Sequence, residues 1–538
     1  MHVSTCDLTL SSYPSQANKA VKMTPRIPPK NGSSFQPGQI IRLEFPAQGY
    51  VNPLNTKMQF DVVLFGPTNP GAYAVRIQNN IQSLFNRVRL LYGASPQEDL
   101  LQYNVLVRCL TEWTCTRQGA DMDQTSIADG IAGVVQGFQA SMNTDNTPSS
   151  VAWDARVNGR QAYIQGIEGG FVGAPNSKET TNGVGLGVVP NNSQPATLPG
   201  GIAPNGVYSV RRYMVNFALG VFTQDKLIPT KYMASQLAIE ITLEQAAACL
   251  YQPVGVEANT APPTYAIGNI NLIPEIIEFD DTYDEQFLRG LETGGVPIKF
   301  STWHYFQFTT QGSSSLQLQI TERSRSVKGL FAIQRRQPVG LQYDSHACLF
   351  DSSTLTSSST GSTMQQYQFR IGGRYFPAAP VQLSANVGSS ICNGGAEAYV
   401  ELEKLLNIVG DYRLSTNTTC LNWAIPAITT SSTVIYPEYD YSYAIAGYSP
   451  VGVPDYLKLE ATTSCVAGNA PSCMYACAIN FETSNGIEIS GLNAEEQSDI
   501  SFNVMWSSGQ ATGFSIEVMS YVDVMWVLRP NNYLDLIQ

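Results

Sequence analysis

The residues that could do chemistry are few in kind. The chain has three histidines, ten cysteines and 43 Asp or Glu among 538 residues. His2 lies near the N-terminus, His304 sits within an aromatic run, and His346 stands two residues before Cys348. A His–Cys neighbour pair could ligate a metal or form a nucleophilic dyad. Neither a third ligand nor an orienting group lies nearby in sequence, so a chance pairing accounts for it better. Glu278, Asp280, Asp281, Asp284 and Glu285 form an acidic cluster that could hold calcium. It lacks the Asp/Asn spacing and the glycine of an EF-hand loop, and Asp before a helix has a capping role of its own. The glycines of 182–206 are not framed by a strand and a helix, and no GK[ST] follows, so they do not read as a phosphate loop. No G-x-S-x-G elbow and no H-E-x-x-H helix is present. Carboxylate spacing alone leaves a glycosidase pair open. The chain reads as non-enzymatic, with no cofactor and no metal.

Charge marks a different kind of residue. The net charge is −12. Residues 1–38 carry Lys19, Lys22, Arg26 and Lys30 against Asp7 alone, so this arm is +3 and the remainder −15. An acidic body does not bind nucleic acid as a whole. Pro14, Pro25, Pro28, Pro29 and Pro37 keep the arm extended. Its four cations are expected to touch an acidic neighbouring copy or, with only modest counterion release, a packaged genome. The expectation is an arm free in the unassembled protein and ordered on assembly.

These residues need elements to position them. The length suits two domains of over 200 residues. Hydrophobic residues make up 43% of the chain, enough for sizeable cores. Charged residues make up only 14%, against roughly 25% in ordinary soluble domains, which points to surface covered by other copies. No cysteine pair has C-x-x-C spacing, and the N-terminus lacks the apolar core of a signal peptide. Free thiols in a reducing compartment are therefore expected, with the sequons at Asn31, Asn191 and Asn417 idle.

Period-two alternation dominates. Tyr213, Val215, Phe217, Leu219 and Val221 form one buried face, and Leu237, Ile239, Ile241 and Leu243 another. Such alternation means antiparallel strands with one buried side. Further strands are expected at 38–46, 56–65, 298–310, 314–322 and 514–528. Helices are expected over 95–113, with Ser95 as N-cap, Pro96 in the first turn and Glu98 closing a capping box, and over 396–409, with a shorter one near 284–292. The segment SVKGLFAIQRRQ echoes SLFNRVRLLYG from the first half. The expected divisions are an arm at 1–38, a first barrel at 39–252 with an insertion at 114–207, a linker at 253–264, and a second barrel at 265–538 with insertions at 341–395 and 410–475.

An ordered set of segments resembles the major capsid proteins of virophages and polinton-like viruses. The set comprises SLFNRVRLLYGASPQEDLLQYNVL, FALGVFTQDKLIPTKYMASQLAIEITLE, INLIPEIIEFDDTY, ERSRSVKGLFAIQRR, FRIGGRYFPAAP with AEAYVELEKLL, and VDVMWVLRPNN. The resemblance implies an all-β chain of two tandem eight-stranded jelly rolls with a few short helices and long loop insertions. It further implies a pseudo-hexagonal homotrimeric capsomer, an icosahedral shell around double-stranded DNA, contacts with penton and minor capsid proteins, and a place in the virion. A jelly-roll vertex or receptor-binding protein and a carbohydrate-binding β-sandwich are the alternatives, since fold alone does not choose among them.

Overall fold

The computed structural model describes residues 20–65, 76–77, 81–114, 188–189, 208–251, 264–309, 312–336, 364–382, 396–406, 476–482, 491–495, 500–506, 514–530 and 532–537. The expected insertion at 410–475, His346 and Cys348, and all of 114–207 apart from residue 114, Val188 and Val189, lie outside the described residues.

The first half contributes β1 (Ala20–Met23), β2 (Ser34–Phe35), β3 (Ile40–Glu44), β4 (Tyr50–Phe65), β5 (Arg76–Ile77), β6 (Phe85–Tyr92), β7 (Ser95–Leu101), helix α1 (Tyr103–Thr114), β8 (Val188–Val189), β9 (Tyr208–Val215), β10 (Leu237–Leu243), β11 (Leu250–Tyr251) and β12 (Thr264–Phe279). Helix α2 (Asp281–Gly294) leads into the second half. There follow β13 (Val296–Thr309), β14 (Ser315–Ile320), β15 (Val327–Arg336), β16 (Met364–Ile371), β17 (Arg374–Gln382), helix α3 (Ala396–Leu405), β18 (Cys477–Asn480), β19 (Ile500–Trp506), β20 (Phe514–Leu528) and β21 (Leu534–Ile537).

The wiring of the second half is a jelly roll. One sheet runs β13-β20-β15-β18 and the other β14-β19-β16-β17. The first of these eight strands lies beside the last and the second beside the next to last, the pattern produced by two nested Greek keys. The first half shares most of it where it is described: β3-β10-β6 match β13-β20-β15 and β4 lies beside β9 in the other sheet, while the fourth place beside β6 is taken by its hairpin partner β7. The chain is thus a double jelly roll. The resemblance between the two segments SLFNRVRLLYG and SVKGLFAIQRRQ has a structural basis, because β6 and β15 are the third strands of their sandwiches and each pairs with the last one.

The alternation builds the cores. Ile239 and Ile241 of β10 face Ile41, Leu43, Val88 and Leu90. In β20, Val518, Val522, Val524 and Trp526 are buried on one face. Its other face is covered too, since Ser515 and Glu517 are at 0% exposure and Met519 at 1%. Successive strands need not pair: β9 and β10 follow each other in sequence but lie in opposite sheets.

Three expectations are corrected. Residues 95–101 are strand rather than helix, and α1 begins only at Tyr103. The helix-start signals are outweighed by cross-strand partners: Arg87 binds Asp99, and Glu98 turns into the protein. The segment from Thr264, expected to open the second barrel, is β12, and it pairs along β4 of the first sandwich. The passage between sandwiches is therefore α2. Its N-terminus is set by Asp280, whose side chain accepts the Tyr283 N–H, and Gly295 (φ 89°) follows its end. Lastly, the expected loop at 341–395 contains the hairpin β16–β17, whose Tyr367 and Phe369 are core residues. Alternating glutamines at 366 and 368 give it the composition of a loop.

Candidate functional site: the seam between the sandwiches

The most elaborate polar chemistry lies where the two sandwiches meet. Glu98 of β7 is 3% exposed. Its Oε1 accepts the Gly220 N–H at 2.7 Å and the Thr302 hydroxyl of β13 at 2.6 Å; its Oε2 accepts the Val221 N–H at 3.1 Å. Burial pushes this carboxyl up to about 7, although the three hydrogen bonds and nearby His304 favour the charged form. Gly220 allows the approach, since a Cβ there would sit 2.0 Å from the Ser301 carbonyl oxygen.

A second buried pair lies along the same seam. Arg335 of β15 donates from Nε to Glu517 of β20 at 2.7 Å and from Nη2 to Gln102 at 2.9 Å. Gln102 is the turn residue between β7 and α1 and adopts φ 50°, a conformation uncommon outside glycine. Aromatic rings fill the space around these groups. Trp113 meets Phe331 edge-on at 5.1 Å between centroids, and Trp303 stacks on Tyr521 at 4.5 Å. At the C-terminal end, the Asn532 carbonyl accepts from the Tyr92 hydroxyl and the Ala234 N–H.

A third contact seats α2 on the first sandwich. Tyr50 is ringed by Tyr232, Phe279, Tyr283 and Phe287. Its hydroxyl donates to Asp284 at 2.9 Å, and the other Asp284 oxygen takes Lys231 at 2.5 Å. Burial, reinforced by Asp284, raises the Tyr50 hydroxyl far above its ordinary value.

The acidic cluster around 278–285 therefore has work other than binding a cation. Asp280 caps α2, Asp284 holds Tyr50 and Lys231, and Glu278 accepts from Gln48. Among the described residues no group of three or more His, Cys, Asp or Glu is placed to hold a metal. His304 faces Glu322 at 2.9 Å. Burial alone would raise Glu322, but His304 and Ser324 outweigh it and hold the carboxyl at about 2.

The arm is the clearest departure from expectation. From Ala20 onward it is docked on its own chain. β1 pairs with residues 276–279 of β12, and Ile27 bridges to Leu272. Lys22 reaches Glu275 at 2.5 Å and Lys30 reaches Glu44 at 3.2 Å. Burial would raise Glu275, but Lys22, Asn55 and Asn52 outweigh it and lower it. Arg26 is exposed, and Lys19 lies outside the described residues. The arm cations are thus not gathered in one place. Spacing singled out Glu98 only as a capping-box residue, and Arg335, Glu517 and Gly220 not at all. The available signal is a charged residue inside an apolar strand, as with Glu517 in FSIEVMSYVDV.

No protein-family model and no curated protein matches the chain. Solved structures do resemble it. One is the Sputnik virophage at 3.5 Å, with 9% identity, 98% of this chain and 90% of that one covered, and a TM-score of 0.49. Another is the mavirus major capsid protein, with 8% identity, 96% and 89% covered, and a TM-score of 0.45. A third is PBCV-1 VP54 fitted into a reconstruction of Sputnik, with 8% identity, 98% and 99% covered, and a TM-score of 0.46.

Proposed function

We propose that this chain is a major capsid protein whose work is self-association. The observation that carries the reading is the repeated wiring: one chain holds two jelly rolls, welded side by side by Glu98, Arg335 and the aromatic seam. A lectin or a vertex protein needs one such sandwich. Two fused sandwiches form a rigid double block, and three of these give six sandwiches around a threefold axis. The ordered set of capsid-like segments in the sequence supports the same reading.

On this reading the unit is a homotrimer, pseudo-hexagonal in outline, tiling an icosahedral shell around double-stranded DNA in a virion of the polinton-like or virophage kind. Penton and minor capsid proteins are its further partners, and no catalytic step is involved. The part of the arm left to tie neighbouring units or touch the genome is Arg26 and the residues up to Lys19, because Lys22 and Lys30 already face carboxylates of their own chain. Sedimentation of the purified full-length protein, followed by electron microscopy, tests the reading. Trimers and closed shells are expected. A protein that remains monomeric at micromolar concentration and forms no shell would refute it.

A further inference from the structure

The sheet β14-β19-β16-β17 differs in chemistry from its counterparts. None of its four strands contains Asp, Glu or Lys, and its only charges are Arg370 and Arg374. Its core face is Leu318, Ile320, Phe502, Val504, Tyr367 and Phe369. The opposite face is built in cross-strand rows. Ser315, Met505, Gln366 and Gln382 make one row, and Gln317, Asn503 and Gln368 the next. Met505 is 40% exposed, and Tyr375, opposite Arg370, is 50% exposed. The seam contacts described above come from the other sheet of this sandwich.

The contrast within the chain is direct. The outward face of β3-β10-β6-β7 carries Arg42, Arg89 and Glu240 in one ion-pair network and Arg87 with Asp99 in a second pair. That is how a sheet face meets water. An amide face is cheaper to dehydrate, because each Gln or Asn offers both a donor and an acceptor to a partner. Resting on the capsid reading, we infer that this amide face is a surface by which one copy contacts a second copy of the chain. Charge selects that occupant. Copies of net charge −12 repel wherever carboxylates face each other, and this face has none, so it can meet the same face of a second copy without that repulsion. The contact is face-on and not strand addition, because Pro377 and Pro380 deprive the β17 edge of donors.

Four strands about 4.8 Å apart and ~20 Å long present roughly 400 Å², about half of one partner's share in a standard interface. A contact of that size is weak alone and suits joints between preformed units. The decisive variant is the full-length triple Gln317→Glu, Gln366→Glu, Met505→Glu, with Thr282→Glu, Gln286→Glu, Thr293→Glu on α2 as the charge-matched control. The face variant should keep the wild-type melting temperature and oligomer size but lose assembled shells by about tenfold or more, while the control assembles. Normal shells from the face variant, or equal loss in the control, would overturn the inference and leave the capsid reading intact. Oxidative cross-linking of Met505→Cys reports on the face directly, even where the triple variant misfolds or the wild type forms no shell. Dimers above the wild-type background support the inference, and their absence at high concentration overturns it.

Discussion

Arg335 is 2% exposed and Glu517 not at all. Taking both charges out of water costs several kcal/mol per ion, which their attraction only about repays. Breaking the pair is therefore worse than replacing it. Arg335→Met should cost about 3–5 kcal/mol in urea unfolding, because Glu517 is left buried without the Arg335 charge. The double change Arg335→Met with Glu517→Leu should recover most of that, and a double variant as weak as the single one would contradict the argument. Glu98 gives a pH signature. In the folded chain it holds its proton to about 7, against an ordinary value of 4.5. The folded chain thus binds that proton more tightly than the unfolded one. Its contribution is full below about pH 4.5 and is lost as the pH rises through 7, a change of about 3 kcal/mol. Glu322 acts in the opposite sense: held at about 2, it contributes above pH 4.5 and fades as the pH falls toward 2. Glu98→Gln should therefore be clearly less stable than wild type at pH 5, with the deficit shrinking at pH 8. Equal deficits at both values would show that Glu98 is ionised throughout.

At the scale of elements, strand and helix existence was readable wherever one face is apolar and the other wet. The alternation in β10 and β20, and the Asp-led start of α2, correspond to structure directly. What failed was everything decided by distant partners. Ser95, Pro96 and Glu98 have the types of a helix start, but Glu98 serves Gly220, Val221 and Thr302, none near in sequence. The β12 pattern specifies a strand but not that its partner is β4, some 200 residues earlier. The seam was illegible for the same reason, since buried ion pairs leave no periodic trace. The arm was read as free because its prolines and charge favour solvent, and its pairing with β12 depends on an open sheet edge. Lys22 is 60% exposed in its pair with Glu275, so Lys22→Ala should change stability by no more than ~1 kcal/mol. Deleting residues 1–24 should do more, by uncovering β12 at 276–279. Unpaired sheet edges recruit other chains. Light scattering should show the truncated protein self-associating irregularly, and a clean dispersion equal to wild type would mean that β1 is not needed as a cover.

For the whole molecule, the question is whether two jelly rolls behave as two domains or as one. Joined domains ordinarily meet over modest polar interfaces and move independently. Here the connection is covalent, apolar and polar at once. β12 belongs to the first sandwich and runs through α2 into β13 of the second. Glu98 is fully paired only with both sandwiches present, because two of its donors, 220 and 221, lie in its own half and the third, Thr302, in the other. Trp113 packs on Phe331 across the same line, and Asn532 returns the C-terminal strand to Tyr92 and Ala234. Separating the halves would strip Glu98 of Thr302, break the Arg335–Gln102 hydrogen bond and expose aromatic surface. Each unsatisfied group costs about 1–3 kcal/mol, more than either sandwich gains by moving alone. The full-length protein should therefore melt in a single calorimetric transition, with the calorimetric and van't Hoff enthalpies in agreement. The variant Glu98→Ala with Thr302→Val removes the polar link while leaving both cores intact, and it should broaden or split that transition. Two resolved transitions in the wild type would show the sandwiches to be independent, and the rigid double block on which the capsid reading stands would lose its physical basis.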